Sequence, residues 1–435
     1  TTEIYTLSLH DALPIYCILW GNKLDSGIPS EIESSGATPS VTYSCVEGGY
    51  AGAGNIVADP LFTDAEHNLF TLQSGSPCID TGTPSNAPLD DFNGLVRPQD
   101  YLWDMGAFEA PRANTEPCAF LVDVDNVSGI ENGRTWATAY ASIASALRIA
   151  ADGDEVWVAE GAYTTAETGA SVVTMKAGVA IYGGFDATET KLEQRNPAAH
   201  VTVIGGAGAH RCVVGAADAA LDGFTVSGGA ADNGAGMRND GVSPAVTNCI
   251  FTNNAATANG GGMYNANGAA PAVTGCAFTA NTAASGGGMY NTASSPALAN
   301  CTFTNNTLTG ANHGAGMHNE ASSPTLTDCT FTGNVASRFG GGMSNHTASA
   351  PALTRCAFSA NRANAPSSFG GGGALYNAGA TVTATACTFD GNYTMGTYAN
   401  AGGLYNTASS SMTLTDCAVA NNYNDPAGSN PYGGG

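Results

Sequence analysis

Seven copies of a Cys-x-Phe-x-x-Asn element, spaced 25 to 31 residues apart, and a Gly-Met/Leu-x-Asn element that keeps step with them predict an all-β solenoid. The expected form is a right-handed parallel β-helix with three short strands per coil and an N-terminal capping helix. Composition agrees: 57 of the 435 residues are glycine, and a chain of this length is too long for one ordinary globular core. Helical repeats of similar period would need two amphipathic helices per repeat, and Gly, Thr, Asn, Ser and β-branched residues disfavour helix interiors.

The first element supplies Cys249, Cys276, Cys301, Cys329, Cys356, Cys387 and Cys417, then Phe251, Phe278, Phe303, Phe331, Phe358 and Phe389, with Val419 in the last copy. Its asparagines are Asn254, Asn281, Asn306, Asn334, Asn361, Asn392 and Asn422. The second element supplies Met237, Met263, Met289, Met317, Met343, Leu375 and Leu404, each followed two residues later by Asn. Within one coil, a first strand surrounds Met317, a second Leu326, and a third carries Cys329 and Phe331. Leu326 and Cys329 differ in parity, so no continuous strand keeps both inside and a corner must separate them. The residues before each cysteine, Asn248, Gly275, Asn300, Asp328, Arg355, Ala386 and Asp416, are mostly types that tolerate left-handed backbone. Turns are expected at Asn334, at Glu320 to Pro324 and at Asp328. Stacked in register, like residues form columns, and the corner asparagines bond amide to amide along the axis. Length varies mainly in Ala363 to Phe369 and Tyr393 to Asn400, the corner where loops grow and function is expected.

Upstream, Thr138 to Ala151 places Tyr140, Ile143, Ala146, Leu147 and Ala150 at helical spacing. A helix there would cover the open end of the solenoid, whose strand edges otherwise invite aggregation. Thr1 to Ile15 reads as the in-frame translation of a sequencing adapter, which implies a fragment of a longer gene. A signal peptide would carry a basic start, and this stretch has no Lys or Arg.

Only 11% of residues are charged, but 36 acidic against 13 basic groups give a net charge of -23. A polyanion is repelled by nucleic acid and by anionic lipid, so neither is an expected partner. No apolar run is long enough to be a membrane-spanning helix.

The paired Gly286 to Asn291 and Phe303 to Asn306 elements resemble the GGA(I/L/V) and FxxN repeats of polymorphic outer-membrane autotransporter passengers. They are equally similar to the right-handed β-helix repeat proteins of the pectate-lyase-like superfamily. Cys17 to Glu109 resembles the C-terminal end of such a helix, as found ahead of variable surface-anchor domains. The residues carrying this are Cys17, Leu19 and Asn22, then Asp59 to Phe62, Gly75 to Asp80, Asn93-Gly94 with Arg97-Pro98, and Asp104 to Glu109. Val122 to Asp125, Gly133, Trp136, Ala139-Tyr140 and Gly161 to Tyr163 resemble the N-terminal module of the same families. These resemblances imply an adapter at 1–15, the end of a first β-helix at 16–110 and a linker at 111–120. A cap with first coils follows at 121–228, and regular coils at 229–435.

Twelve cysteines suggest disulfides, yet seven share one inward position, where stacked parallel side chains seldom offer the required dihedral. They are expected as free thiols, and a straight column is no tetrahedral metal site. Asp123, Asp125, Asn126 and Glu131 would suit Ca²⁺, although solvated turn carboxylates explain them better and no complete EF-hand pattern is present. Asp80, Asp90, Asp91, Asp104 and Glu109 form a second acidic group that would brace the tail of the first helix, with or without Ca²⁺. Otherwise no cofactor is expected. Tyr264, Tyr290, Tyr376 and Tyr405 alternate with buried Met/Leu, so they should face outward, where they could stack on sugar rings; strand propensity accounts for them too. His313, His318, Arg338, His346, Arg355, Arg362 and Asp390 lie scattered, with no repeated pairing, no lyase-type arginine motif and no paired-aspartate motif.

These features point to a non-catalytic adhesin or structural stalk, secreted or displayed on a bacterial surface and associated with the outer membrane. A glycan or protein of a host or neighbouring cell would be its partner. The alternative is a carbohydrate-active β-helix, lyase-like or glycan-binding.

Overall fold

Each coil of the repeat region turns at residues held in left-handed backbone. In the coil after Met317 these are Ala321 (φ 49°), Asp328 (φ 54°), Gly333 (φ 65°) and Gly340 (φ 64°). All seven residues that precede the repeat cysteines have positive φ, between 51° and 64°. Asn and Asp pay little for that conformation because their short side chains bond locally, whereas Ala386 and Arg355 carry a cost of ~1–2 kcal/mol each. The third corner lies one residue ahead of the predicted position, at Gly333 and not at Asn334, because Asn334 itself points inward.

The computed structural model describes residues 17–425 apart from 22–31, 33–38, 68, 84–87, 89, 96, 100–101, 111–116, 129–130, 166, 168, 311, 365–369 and 397–399. The adapter-like stretch 1–15, Asn22, most of the expected linker 111–120, the tips of both variable loops and residues 426–435 therefore lie outside the described residues. The chain forms two compact units, Thr1–Leu121 with Asp125–Ala141, and Val122–Val124 with Ser142–Gly435.

In the second unit, four corners separate four stacks of parallel strands, one more than predicted. Taking one coil, the strands are Met317–Glu320, Thr325–Thr327, Thr330–Thr332 and Val335–Ala336. Each pairs in register with its counterpart one coil on: Met317 with Met343, Leu326 with Leu353, Phe331 with Phe358 and Val335 with Arg362. The unit is a right-handed parallel β-helix. The fourth strand falls where sequence reading saw only a loop. It is two to five residues long, and it buries small residues, Ala256, Ala283, Ala336 and Ala363, which give little hydrophobic signal.

The glycine runs answer a close approach. A Cβ on Gly288 would come within 2.5 Å of the Gly316 carbonyl and 2.9 Å of the Phe303 ring, so no larger residue fits without displacing backbone. The capping helix spans Ile143–Ile149, shorter than expected. Ser142 caps it by accepting from the Ser145 amide at 3.1 Å, and it buries Ile143, Ala146, Leu147 and Ile149. It packs on the first strands of the unit, Glu155–Ala159 and Val173–Thr174.

The first unit is irregular. Ile18–Leu19 pairs in parallel with Cys45–Val46, and Cys45 bridges in parallel to Ile56. Cys45, Cys78 and Met105 form its core, with Trp20, Tyr43 and Leu72 packed against them. An antiparallel hairpin joins Phe62–Asp64 to Leu69–Leu72.

Candidate functional site

The inward columns are structural. Phe251, Phe278, Phe303, Phe331, Phe358 and Phe389 are fully buried and stack with ring centroids 4.5–5.2 Å apart. The corner asparagines form one amide ladder. Asn306 Nδ2 donates to Asn334 Oδ1 at 2.9 Å and to the Phe278 carbonyl at 2.8 Å, and the Asn306 amide donates to the same Asn334 oxygen at 3.0 Å. The pattern repeats from Asn254 to Asn422. A second ladder runs from Asn239 through Asn265, Asn291, Asn319, Asn345 and Asn377 to Asn406, with spacings of 2.6–2.8 Å. Within the ladders buried carboxamides are thereby satisfied without charge, and only the terminal Asn239 Oδ1 is left without a bond among the described residues.

The seven repeat cysteines are free thiols, and the column from Cys249 to Cys387 is buried. Several thiols donate to backbone carbonyls, as Cys301 does to Val273 at 3.4 Å. Contact with Cys249, together with burial, pushes the Cys276 thiol well above its usual range.

The outer face of the Met-lined sheet holds the tyrosines. Tyr264 and Tyr290 stack at 5.7 Å, and Tyr376 and Tyr405 at 5.6 Å. Their ring faces are thus turned toward one another along the axis, and Tyr376 is only 8% exposed, which leaves chiefly ring edges and hydroxyls for a sugar. Between the two pairs the column changes to His318 and then Ser344, in register with Tyr290 and Tyr376.

There the fold gathers residues that looked scattered in the sequence. His313 lies with its ring centroid 6.2 Å from His318 and 4.8 Å from His346, and His318 lies 4.9 Å from His346. Phe339 covers Tyr376 at 4.3 Å and carries the Arg338 guanidinium at 5.0 Å. Glu320 approaches His318 Nε2 at 3.7 Å. Ser344 Oγ and His346 Nε2 are 2.7 Å apart, but Ser344 is fully buried, so a substrate has no path to that hydroxyl. Nδ1 of His313 and Nδ1 of His318 are buried with no hydrogen-bond partner among the described residues. Burial, then His346, His318 and Arg338, pushes His313 down to about 3; burial and His318 push His346 down to about 4. Glu320, held by His318, falls to about 2. His313 and His346 are therefore neutral near pH 7.

The other polar candidates of the repeats tie neighbouring coils. Arg355 grips Asp328 through two bonds of 2.7 Å, Asn421 donates to Asp390 at 2.7 Å, and Arg362 reaches Met395 Sδ at 3.6 Å. In the Ca²⁺ candidate, Asn126 donates to the Ala139 carbonyl at 2.5 Å and accepts from Ser128, while Glu131 accepts from the Ala141 amide at 3.2 Å. Asn126 and Glu131 are thus committed to the chain. Among the described residues no three His, Cys, Asp or Glu side chains are arranged to hold a metal ion.

The second acidic group of the first unit is an internal brace. Arg97 Nε bonds Glu109 Oε2 at 2.7 Å, with side-chain exposures of 3% and 1%. Asp104 accepts the amides of Asp80 at 2.8 Å and Ala110 at 2.6 Å, and Asp91 accepts those of Asn93, Leu95 and Glu109. Burial and the nearby Glu109 push Asp104 up to about 7.

Residues 177–350 match the family model described as "Right handed beta helix region". No curated protein matches the chain. Among solved structures, pectate lyase Pel9A aligns over 70% of this chain and 79% of its own at 14% identity and TM-score 0.35. The pectin methylesterase from Aspergillus niger aligns over 73% and 88% at 15% identity and TM-score 0.32. An alginate lyase from Paenibacillus aligns over 69% and 99% at 9% identity and TM-score 0.31.

Proposed function

We propose that this chain is a non-catalytic β-helix of a secreted or surface-displayed bacterial protein, acting as a stalk or adhesin. The unbroken Phe and Asn ladders carry this reading. Ten parallel strands stack in the Phe-bearing sheet, which at ~4.8 Å per strand spans roughly 40 Å of rod whose interior asparagines bond coil to coil. Such a rod holds its variable corner loops at a fixed spacing, which suits presentation to a glycan or protein on another cell. The GGA-like and FxxN-like elements, similar to those of outer-membrane autotransporter passengers, support display at an outer membrane. The test coats a surface with the chain, measures retention of cells and of arrayed glycans, and assays uronic-acid polysaccharides for unsaturated product with and without Ca²⁺. Retention without turnover is expected. Turnover lost on changing Arg338 to Ala would overturn the reading and favour a carbohydrate-active protein centred on the imidazole cluster, the second reading that this cluster supports.

A further inference from the structure

The imidazole cluster spans coils that are distant in sequence. His313 and His318 belong to one coil, Phe339, Ser344 and His346 to the next, and Tyr376 to the one after; Tyr290 covers the other side. The backbone beneath is ladder-bonded, for example Gly314 to Phe339 at 3.0 Å and Met317 to Gly342 at 3.0 Å. The charged and titratable groups facing His313 are His318, His346, Arg338 and Glu320, with Tyr376 stacked at 6.0 Å. Those facing His346 are His313 at 4.8 Å, His318 and Glu320, with the neutral Ser344 and with Tyr376 at 5.4 Å. One carboxylate stands against three imidazoles and an arginine. Nδ1 of His313 is buried and has no hydrogen-bond partner among the described residues, so the packing disfavours a charge on that ring.

We propose that this cluster is an acid-sensitive latch: with His313 and His346 uncharged, it clamps successive coils through its stacked rings, and protonation of those two releases that clamp and opens the outer face of the Met-lined sheet. The sign follows from linkage. His313 and His346 have folded values of about 3 and about 4, below the ordinary 6.5, so the opened state takes up protons that the closed state refuses. Stability of the latch is complete above about pH 6.5 and falls as the pH drops toward 4. Each histidine that is freed on opening multiplies the opening constant by about ten per pH unit in that window. Glu320 adds to the loss only below about 4.5, where its own unfolded value lies.

Amide hydrogen exchange on the intact chain, corrected for the intrinsic rate, reads this directly. Between pH 6 and pH 4.5 the opening constants at Gly314, Met317 and Met343 should rise up to ~100-fold per pH unit, from two histidines at about tenfold each. Those at Gly260 and Met263, equivalent amides in a coil whose outward positions are Tyr264 and Ala266, should stay nearly flat. His313→Phe should lower the slope about tenfold while keeping an aromatic ring in the stack. Equal slopes in the two coils, or a slope unchanged in His313→Phe, would overturn the proposal; if that variant fails to fold, the comparison of coils in the unaltered chain still decides.

Discussion

In the first unit the Arg97–Glu109 pair sits at 2.7 Å with almost no exposure, beside an Asp104 pushed up to about 7. In the solenoid the two long buried polar columns are neutral carboxamides, each bonded to the coil before and the coil after. The difference follows from symmetry. A repeating coil places the same residue above itself, and a stacked charge would repel its own copy at about 4.8 Å. Asparagine is both donor and acceptor, so it bonds to itself indefinitely. The first unit does not repeat, so it can pair unlike groups, arginine with glutamate.

The largest effect should come from breaking a ladder. Asn334→Ala removes the acceptor of the Asn306 carboxamide and amide and the donor to the Phe303 carbonyl and to Asn361. At ~1–3 kcal/mol per stranded group, a loss on the order of 5 kcal/mol is expected in urea unfolding of the solenoid. A loss below about 1 kcal/mol would mean that water replaces the ladder. Next, Arg97→Met leaves Glu109 buried without its partner and should cost ~3–5 kcal/mol. That loss should be read from exchange of the Met105 amide, which bonds Cys78 at 2.9 Å, while the Met263 amide stays protected.

The smallest effect is the most diagnostic. Asp104 has a folded value of about 7 against an ordinary 3.8, so the native state holds the extra proton between those values. Its contribution is lost as pH rises through about 7 and returns on acidification, by ~1.4 kcal/mol per pH unit at most. The first unit should therefore gain protection between pH 7 and pH 5, while the coil at His313 loses it. Asp104→Asn should flatten the first trend only. If both regions move in the same direction with pH, the contrast between charged and neutral interiors fails.

Much of the solenoid was legible in the chain. Cys, Phe and Asn recur at fixed offsets, and the parity change between Leu326 and Cys329 located a corner that Asp328 occupies with φ 54°. Such readings succeed because the buried position repeats the residue type. The fourth strand escaped notice because its inward residues are alanines. The cluster escaped for a different reason: His318 and His346 are 28 residues apart and each occurs once in its column, so no pattern links them. The alternation with Met/Leu marks the tyrosines as outward, but their availability to a ligand depends on how the rings lie against the next coil.

By itself the sequence determined the period, the inward columns and the left-handed corners, since these follow from local conformational preference and from the two-residue alternation of strands. Only the tertiary structure decided which outward residues meet. Stacking coils brings positions some 25 to 33 residues apart within about 5 Å, and whether the neighbours are tyrosine on tyrosine or three imidazoles around one carboxylate depends on loop lengths and register that no single repeat encodes.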